Sequence, residues 1–132
     1  VGVVVWRGDR VLLVRRGRAP RQGEWSIPGG AQALGETIFQ AAEREVMEEA
    51  GVAIRPVGIV TAVDSILRDG NGAVRFHYTL VEVLAEWVSG EAVAASDAAA
   101  ACWATTAEAG RLVRWSETLR VIEEARNLRG RE

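Results

Sequence analysis

The chain has 132 residues, 48% of them hydrophobic and 26% charged, with 16 basic against 18 acidic side chains and a formal net charge of −2. This is one domain's worth of chain, expected as a single unit over residues 1–132, with apolar surface enough for a core and no signature of disorder. The charge balance argues against a nucleic-acid groove, no apolar run approaches the ~20 residues that span a bilayer, and a lone cysteine, Cys102, excludes an internal disulfide and fits a reducing cytoplasm.

Val3–Trp6 and Arg10–Val14 are β-branched runs around Arg7-Gly8-Asp9, which predicts a hairpin; the opening stretch reads as a strand and not a signal peptide. Residues 15–24 form a polar loop punctuated by Gly and Pro, carrying Arg15, Arg16, Arg18 and Arg21. Trp25-Ser26-Ile27-Pro28-Gly29-Gly30 predicts a short strand running into a glycine turn. Helical spacing runs from Glu36 to Ala50, with Gly51 placed to close the helix. A second β region follows, Ile54–Leu67 and Val74–Trp87 around the turn Asp69-Gly70-Asn71-Gly72. The small-residue stretch Ala94–Ala101 has no assignable period; Cys102-Trp103-Ala104 reads as a last strand, and Glu117–Leu128 as an amphipathic helix on Leu119, Val121, Ile122, Ala125 and Leu128. Strands divided by one helix and closed by another predict an α/β fold, a mixed β-sheet in an α/β/α sandwich.

Chemistry concentrates on the first helix. Glu45, Glu48 and Glu49 stand at i, i+3 and i+4, within a sector of roughly 100°. Phe39, Val46 and Ala50 form the adjoining apolar stripe, so the carboxylates are expected at the boundary of core and solvent. Two like charges ~4 Å apart repel by about 4 kcal/mol at an effective dielectric near 20, and a divalent cation would reverse that penalty. Hard oxygen ligands suit Mg²⁺, with Mn²⁺ as a substitute, and there is no His/Cys set for zinc. A glutamate run alone is as often a solvated helix face; the flanking residues decide between the two.

Those residues are Gly30, Glu36 and then Arg44-Glu45-Val46-Met47-Glu48-Glu49-Ala50-Gly51-Val52. The segment resembles the Nudix box, G-x5-E-x7-R-E-U-x-E-E-x-G-U with U aliphatic, at every defined position. Seven fixed residues and two aliphatic ones would coincide by chance on the order of once in ten million, a figure that glutamate enrichment in helices weakens by about a few tenfold, so a structural protein with a fortuitous box is the least favoured reading. The strand and glycine turn before the box and the order of elements extend the likeness over nearly the whole chain.

The resemblance implies a Mg²⁺-dependent pyrophosphohydrolase with the Nudix α/β/α sandwich. It makes Glu45, Glu48 and Glu49 metal ligands, with a backbone carbonyl of Gly29 or Gly30 as a further oxygen. Arg44 and Glu36 would orient the glutamates, and Glu49 or Glu45 would deprotonate or position the attacking water. Arg15, Arg16, Arg18 and Arg21 are candidates for phosphate or sugar, against solvation as the commoner role of any one of them. Trp25, next to the box, is the candidate for base stacking, against packing as the commoner role of a tryptophan. Relatives often place a glutamate before the late strand. Alanines occupy that stretch here, and Asp97 is the nearest substitute.

The expected substrate is a nucleotide-like small molecule: a nucleoside diphosphate linked to another moiety, such as ADP-ribose or a nucleotide sugar. A nucleoside triphosphate pyrophosphatase is the alternative, and a noncatalytic nucleotide-sensing module the rival from another class. No nucleic acid or membrane partner is expected, and a homodimer is compatible with the resemblance.

Overall fold

The computed structural model describes residues 1–130. The first hairpin forms as its β-branched runs predict, β1 (Gly2–Arg7) antiparallel to β2 (Arg10–Arg16) with Trp6 opposite Val11. The glycine turn is preceded by a two-residue strand, β3 (Trp25–Ser26), paired with β2 at Val14 and Arg15.

Helix α1 (Ile38–Ala50) starts two residues later than the periodicity predicts. The reason is its cap. Thr37 Oγ1 accepts the Gln40 N–H at 3.1 Å while Gln40 Oε1 accepts the Thr37 N–H at 2.9 Å, a reciprocal box that satisfies two otherwise free donors. Glu36 is thereby left in the preceding loop. The helix ends where expected, with Gly51 at φ 68°, a left-handed conformation in which a Cβ is strained.

Two long strands follow, β4 (Ala53–Arg68) and β5 (Val74–Ser89), joined by the predicted turn. β5 runs parallel to β1, with Gly2 opposite Glu82 and Val4 opposite Leu84. The stretch that lacked a period is in part a strand: β6 (Ala98–Thr105) pairs antiparallel with β2, and this pairing carries β2 two residues past its predicted end. Small side chains along Ala98–Ala101 hide the alternation that marks a strand. Helix α2 (Thr106–Leu112), capped by Thr105 and Glu108, was not predicted; α3 (Ser116–Arg129) was. The sheet order is β3-β2-β1-β5-β4 with β6 on the other edge of β2, a mixed sheet as expected.

Strand alternation divides the core between the two faces. Val3, Val5, Leu12, Val52 and Val83 pack against Ala42, Val46 and Ala50 of α1. Val4, Trp6, Val11, Leu13 and Leu84 pack against Val113 and against Val121, Ile122 and Ala125 of α3. The result is the α/β/α sandwich. Phe39 departs from the expected stripe: it remains 38% exposed, and Ile38 makes the first-turn contact with the core. No helix of the described residues is long and apolar enough to cross a membrane.

Candidate active site

The site is organised around a turn, a helix and a returning loop. The Gly29–Gly30 turn is held against β1 by the Gly30 N–H, which donates to the Val1 carbonyl at 2.9 Å, and by the Val1 nitrogen, which donates to the Gly30 carbonyl at 2.7 Å. A Cβ at Gly29 would run into the Val1 backbone, and one at Gly30 would lie 2.5 Å from both carboxylate oxygens of Glu45. Glycine at these positions lets the turn approach both the strand and the acid. From the other side, the loop after β5 covers the last turn of α1: Val93 N–H donates to Ala50 O at 3.0 Å and Ala95 N–H to Glu49 O at 2.9 Å. Carbonyls at a helix C-terminus lack partners within the helix, so this loop has a docking place, and it brings Asp97 towards Glu49.

Arg44 is the hub. Its guanidinium donates to Glu36 through Nε at 2.6 Å and Nη2 at 2.9 Å, to Glu45 at 2.8 Å, to Glu48 at 3.1 Å and to the Ala31 carbonyl at 3.0 Å. The bidentate pair holds Glu36 down to a pKa of about 2, with help from the Ala33 N–H, and raises Arg44 above its ordinary value. Part of the expected carboxylate repulsion is therefore relieved by a side chain. Glu48 in particular is turned to the exposed rim, its side chain 49% exposed and paired with Arg44.

Among the described residues Glu49 has no such partner. It is half-buried, and burial first, then the Glu45 and Asp97 charges, push its pKa up to about 7 against the Gly29 N–H, which it accepts at 3.3 Å, and the more distant Arg16. Among the described residues no three His, Cys, Asp or Glu side chains converge closely enough to hold a metal by themselves. Two carboxylates, Glu45 and Glu49, do face one cleft together with Gly29 and Gly30. This donor set of hard oxygens fits a small divalent cation that keeps several waters and shares its sphere with phosphate, as Mg²⁺ does. Glu48 would join it by leaving Arg44.

The cleft has a volume of about 530 Å³ and is lined also by Arg16, Arg18, Arg21, Asp97 and Trp115. Three of the four loop arginines thus reach it. Arg18 pairs with Asp97 at 3.0 Å, and the Arg21 guanidinium lies 4.3 Å from the Trp115 ring centroid. Arg15 is exposed and Trp25 packs against the core, and neither lines the cleft. Trp115, which occupies the wall, stands far from the box in sequence between a short helix and α3, and nothing local marks it.

An α/β/α sandwich with a glycine turn, an Arg-braced acidic helix and an arginine-lined cleft defines a class of proteins handling anionic small molecules. The model of the NUDIX domain matches residues 1–124. The chain is 37% identical over 109 residues to a putative 8-oxo-dGTP diphosphatase 2 of Mycobacterium tuberculosis, covering 81% of this chain and 72% of that one. It is 29% identical over 95 residues to an ADP-ribose pyrophosphatase of Methanocaldococcus jannaschii, covering 72% and 54%. A MutT NUDIX hydrolase structure from Burkholderia pseudomallei superposes with a TM-score of 0.77, 29% identity and 93% of both chains. Some curated relatives are much longer, the match spanning 16% of a mouse 8-oxo-dGDP phosphatase. The chain belongs to the Nudix family of hydrolases, which act on pyrophosphate bonds.

Proposed function

We propose that this protein is a Mg²⁺-dependent pyrophosphohydrolase of small nucleotides, cleaving the P–O–P bridge of a nucleoside diphosphate joined to a second moiety such as a sugar. The observation that carries this reading is Glu49, half-buried without a paired cation, facing the same cleft as Glu45 and the Gly29–Gly30 turn. Glu45, Glu49 and a turn carbonyl would hold the cation, with Arg44 and Glu36 bracing Glu45. A bound Mg²⁺ supplies charge neutralisation at the phosphoryl oxygens and acidifies a coordinated water. Arg16, Arg18 and Arg21 meet the substrate's anionic groups. The water oxygen bonds to one phosphorus, the bridging P–O bond breaks with its electron pair on the departing phosphate, and Glu49 or Asp97 takes the water proton. The mycobacterial relative's name supports the second reading, a nucleoside triphosphate pyrophosphatase.

The test is a screen of nucleoside diphosphate sugars, ADP-ribose and nucleoside triphosphates with Mg²⁺ and Mn²⁺, products identified by mass spectrometry in ¹⁸O-water. A nucleoside monophosphate with a sugar phosphate is the expected pair; monophosphate with pyrophosphate selects the second reading. Nucleotide binding without any product would move the protein to a sensing role.

Proton and cation compete for Glu49. Apparent Mg²⁺ affinity therefore rises about tenfold per pH unit up to a pH of about 7 and levels off above it, because only the ionised carboxylate binds. Calorimetric titration from pH 5.5 to 8.5 reads this directly, and a flat profile would remove Glu49 from the ligands.

A further inference from the structure

The β4–β5 hairpin outruns the rest of the sheet. β1 pairs with β5 only from Glu82 to Glu86, so Thr61–Arg68 of β4 and Val74–Val81 of β5 continue as a two-stranded ribbon. One face of the ribbon packs towards α3 through Val63 and Leu80 and, with Ser65 and Tyr78, walls the large cleft. The other face, Ala62, Asp64 and Ile66 with His77 and Thr79 across from them, is exposed. A two-stranded ribbon is marginal in water without further cover.

β4 is also the last strand of the sheet on its side, so its outer edge meets no strand among the described residues. The two halves of that edge differ. Irregularities between Pro56 and Gly58 and between Ile59 and Thr61 break the first half, as is common on edges that stay unpaired. From Thr61 to Leu67 the register against β5 is unbroken, and the backbone there is a regular template. Isolated charges on an edge ordinarily deter a second strand. Here they have opposite signs. Asp64 and Arg68 stand four residues apart on the exposed face, with Ile66, 44% exposed, midway between them. Among the described residues the Arg68 guanidinium meets only the Gly72 carbonyl, at 3.0 Å.

We propose that the outer edge of β4 joins a second copy of this chain, antiparallel, about a two-fold axis normal to the sheet at Ile66. In such a pair residue i meets residue j and j meets i, so the surface must complement itself. With Ile66 opposite its own copy, Asp64 of each chain lies opposite Arg68 of the other, and two ion pairs flank an apolar contact. No neighbouring register does as well. Moving the axis by one residue sets Asp64 or Arg68 against Ile66. Moving it by two sets Asp64 against Asp64 or Arg68 against Arg68, and like charges directly opposite repel. The pairing turns two short ribbons into one four-stranded sheet. It also places Leu67 of the partner subunit beside Ser65, which lines the cleft, so each copy adds an apolar residue to the other's wall. The interface stands independently of the reaction catalysed.

Sedimentation velocity of the full chain over about 1–100 µM is expected to show a monomer–dimer equilibrium in the micromolar range. Ile66→Glu should leave only monomer, because two carboxylates would meet on the axis. Asp64→Arg and Arg68→Asp should each weaken association at least about tenfold, since each sets like charges opposite one another twice. Asp64→Arg combined with Arg68→Asp should restore association to within about threefold of wild type. All three positions are exposed, so the variants are expected to fold, and circular dichroism of each checks this. A wild-type chain that stays monomeric throughout, a dimer that persists in Ile66→Glu, or a double reversal no better than the single ones would each overturn the interface. None of these outcomes touches the pyrophosphohydrolase reading, which the substrate screen tests.

Discussion

Glu49→Gln is expected to lower kcat by about 10²- to 10⁴-fold and to leave the protein folded, with a melting temperature at pH 7 no lower than the wild type. The activity loss follows from placement. Glu49 shares the cleft with Glu45, accepts the Gly29 N–H and lies near Asp97, so a carboxylate there can ligate a cation or accept the proton of the attacking water. The stability follows from the same burial. Because the folded state raises this carboxyl's pKa to about 7 from an ordinary 4.5, folding favours the neutral form, and ionisation costs stability as the pH rises between those values. An isosteric neutral amide avoids that cost. Mg²⁺ titration of the variant divides the two roles: weakened binding marks a ligand, unaltered binding with lost turnover marks a base. Turnover within threefold of wild type would take Glu49 out of the site.

Gly30→Ala is expected to lower kcat by about 10²-fold while changing stability by less than about 1 kcal/mol. The new methyl would fall 2.5 Å from both Glu45 carboxylate oxygens, and the end of a flexible side chain is the part that yields. The fold survives, but Glu45 leaves the position fixed by Arg44. Gly29→Ala is the contrasting case. Its methyl meets the Val1 and Gly2 backbone, which cannot step aside, so about 1–3 kcal/mol of stability is expected to be lost. Chemical denaturation read alongside kcat separates the pair. A Gly30→Ala enzyme with full activity would show that the Glu45 position does not matter to turnover.

Much of the framework was legible along the chain because it is written in short-range patterns. The β1–β2 hairpin, the body of α1, the long β4–β5 pair and α3 carry runs, turns and helical spacing that a few neighbouring residues suffice to express. The misses have local causes. The first half of β6 is masked by four alanines whose side chains have no polarity to alternate, its second half, Cys102–Ala104, having been read as strand, and α2 is too short for a helical period to emerge. Glu36 was placed in the helix because periodicity does not register a cap one residue later.

The candidate site divides along the same line. Glu45, Glu49, Arg44, Glu36 and the two glycines stand within one continuous segment, and the resemblance of that segment to the Nudix box assembled them. Whether each acid would be buried, paired or left free was not in that spacing. It depended on Arg44 folding back over Glu36, Glu45 and Glu48, and on the loop before β6 docking on the end of α1. The expected repulsion among the acids is for that reason relieved in part without a cation. A neighbouring guanidinium does so for three acids and leaves Glu49 as the uncompensated one.

Sequence by itself determined the sandwich, the acidic helix and the family, because periodicity and motif spacing are properties of consecutive residues. Tertiary structure alone decided that Trp115 and not Trp25 walls the cleft, that Arg15 stays outside it, and that Glu82 is buried beside it with one carboxylate oxygen lacking a hydrogen bond among the described residues. Desolvation and contact are set by residues arriving from distant parts of the chain, and a linear pattern holds no record of which ones meet.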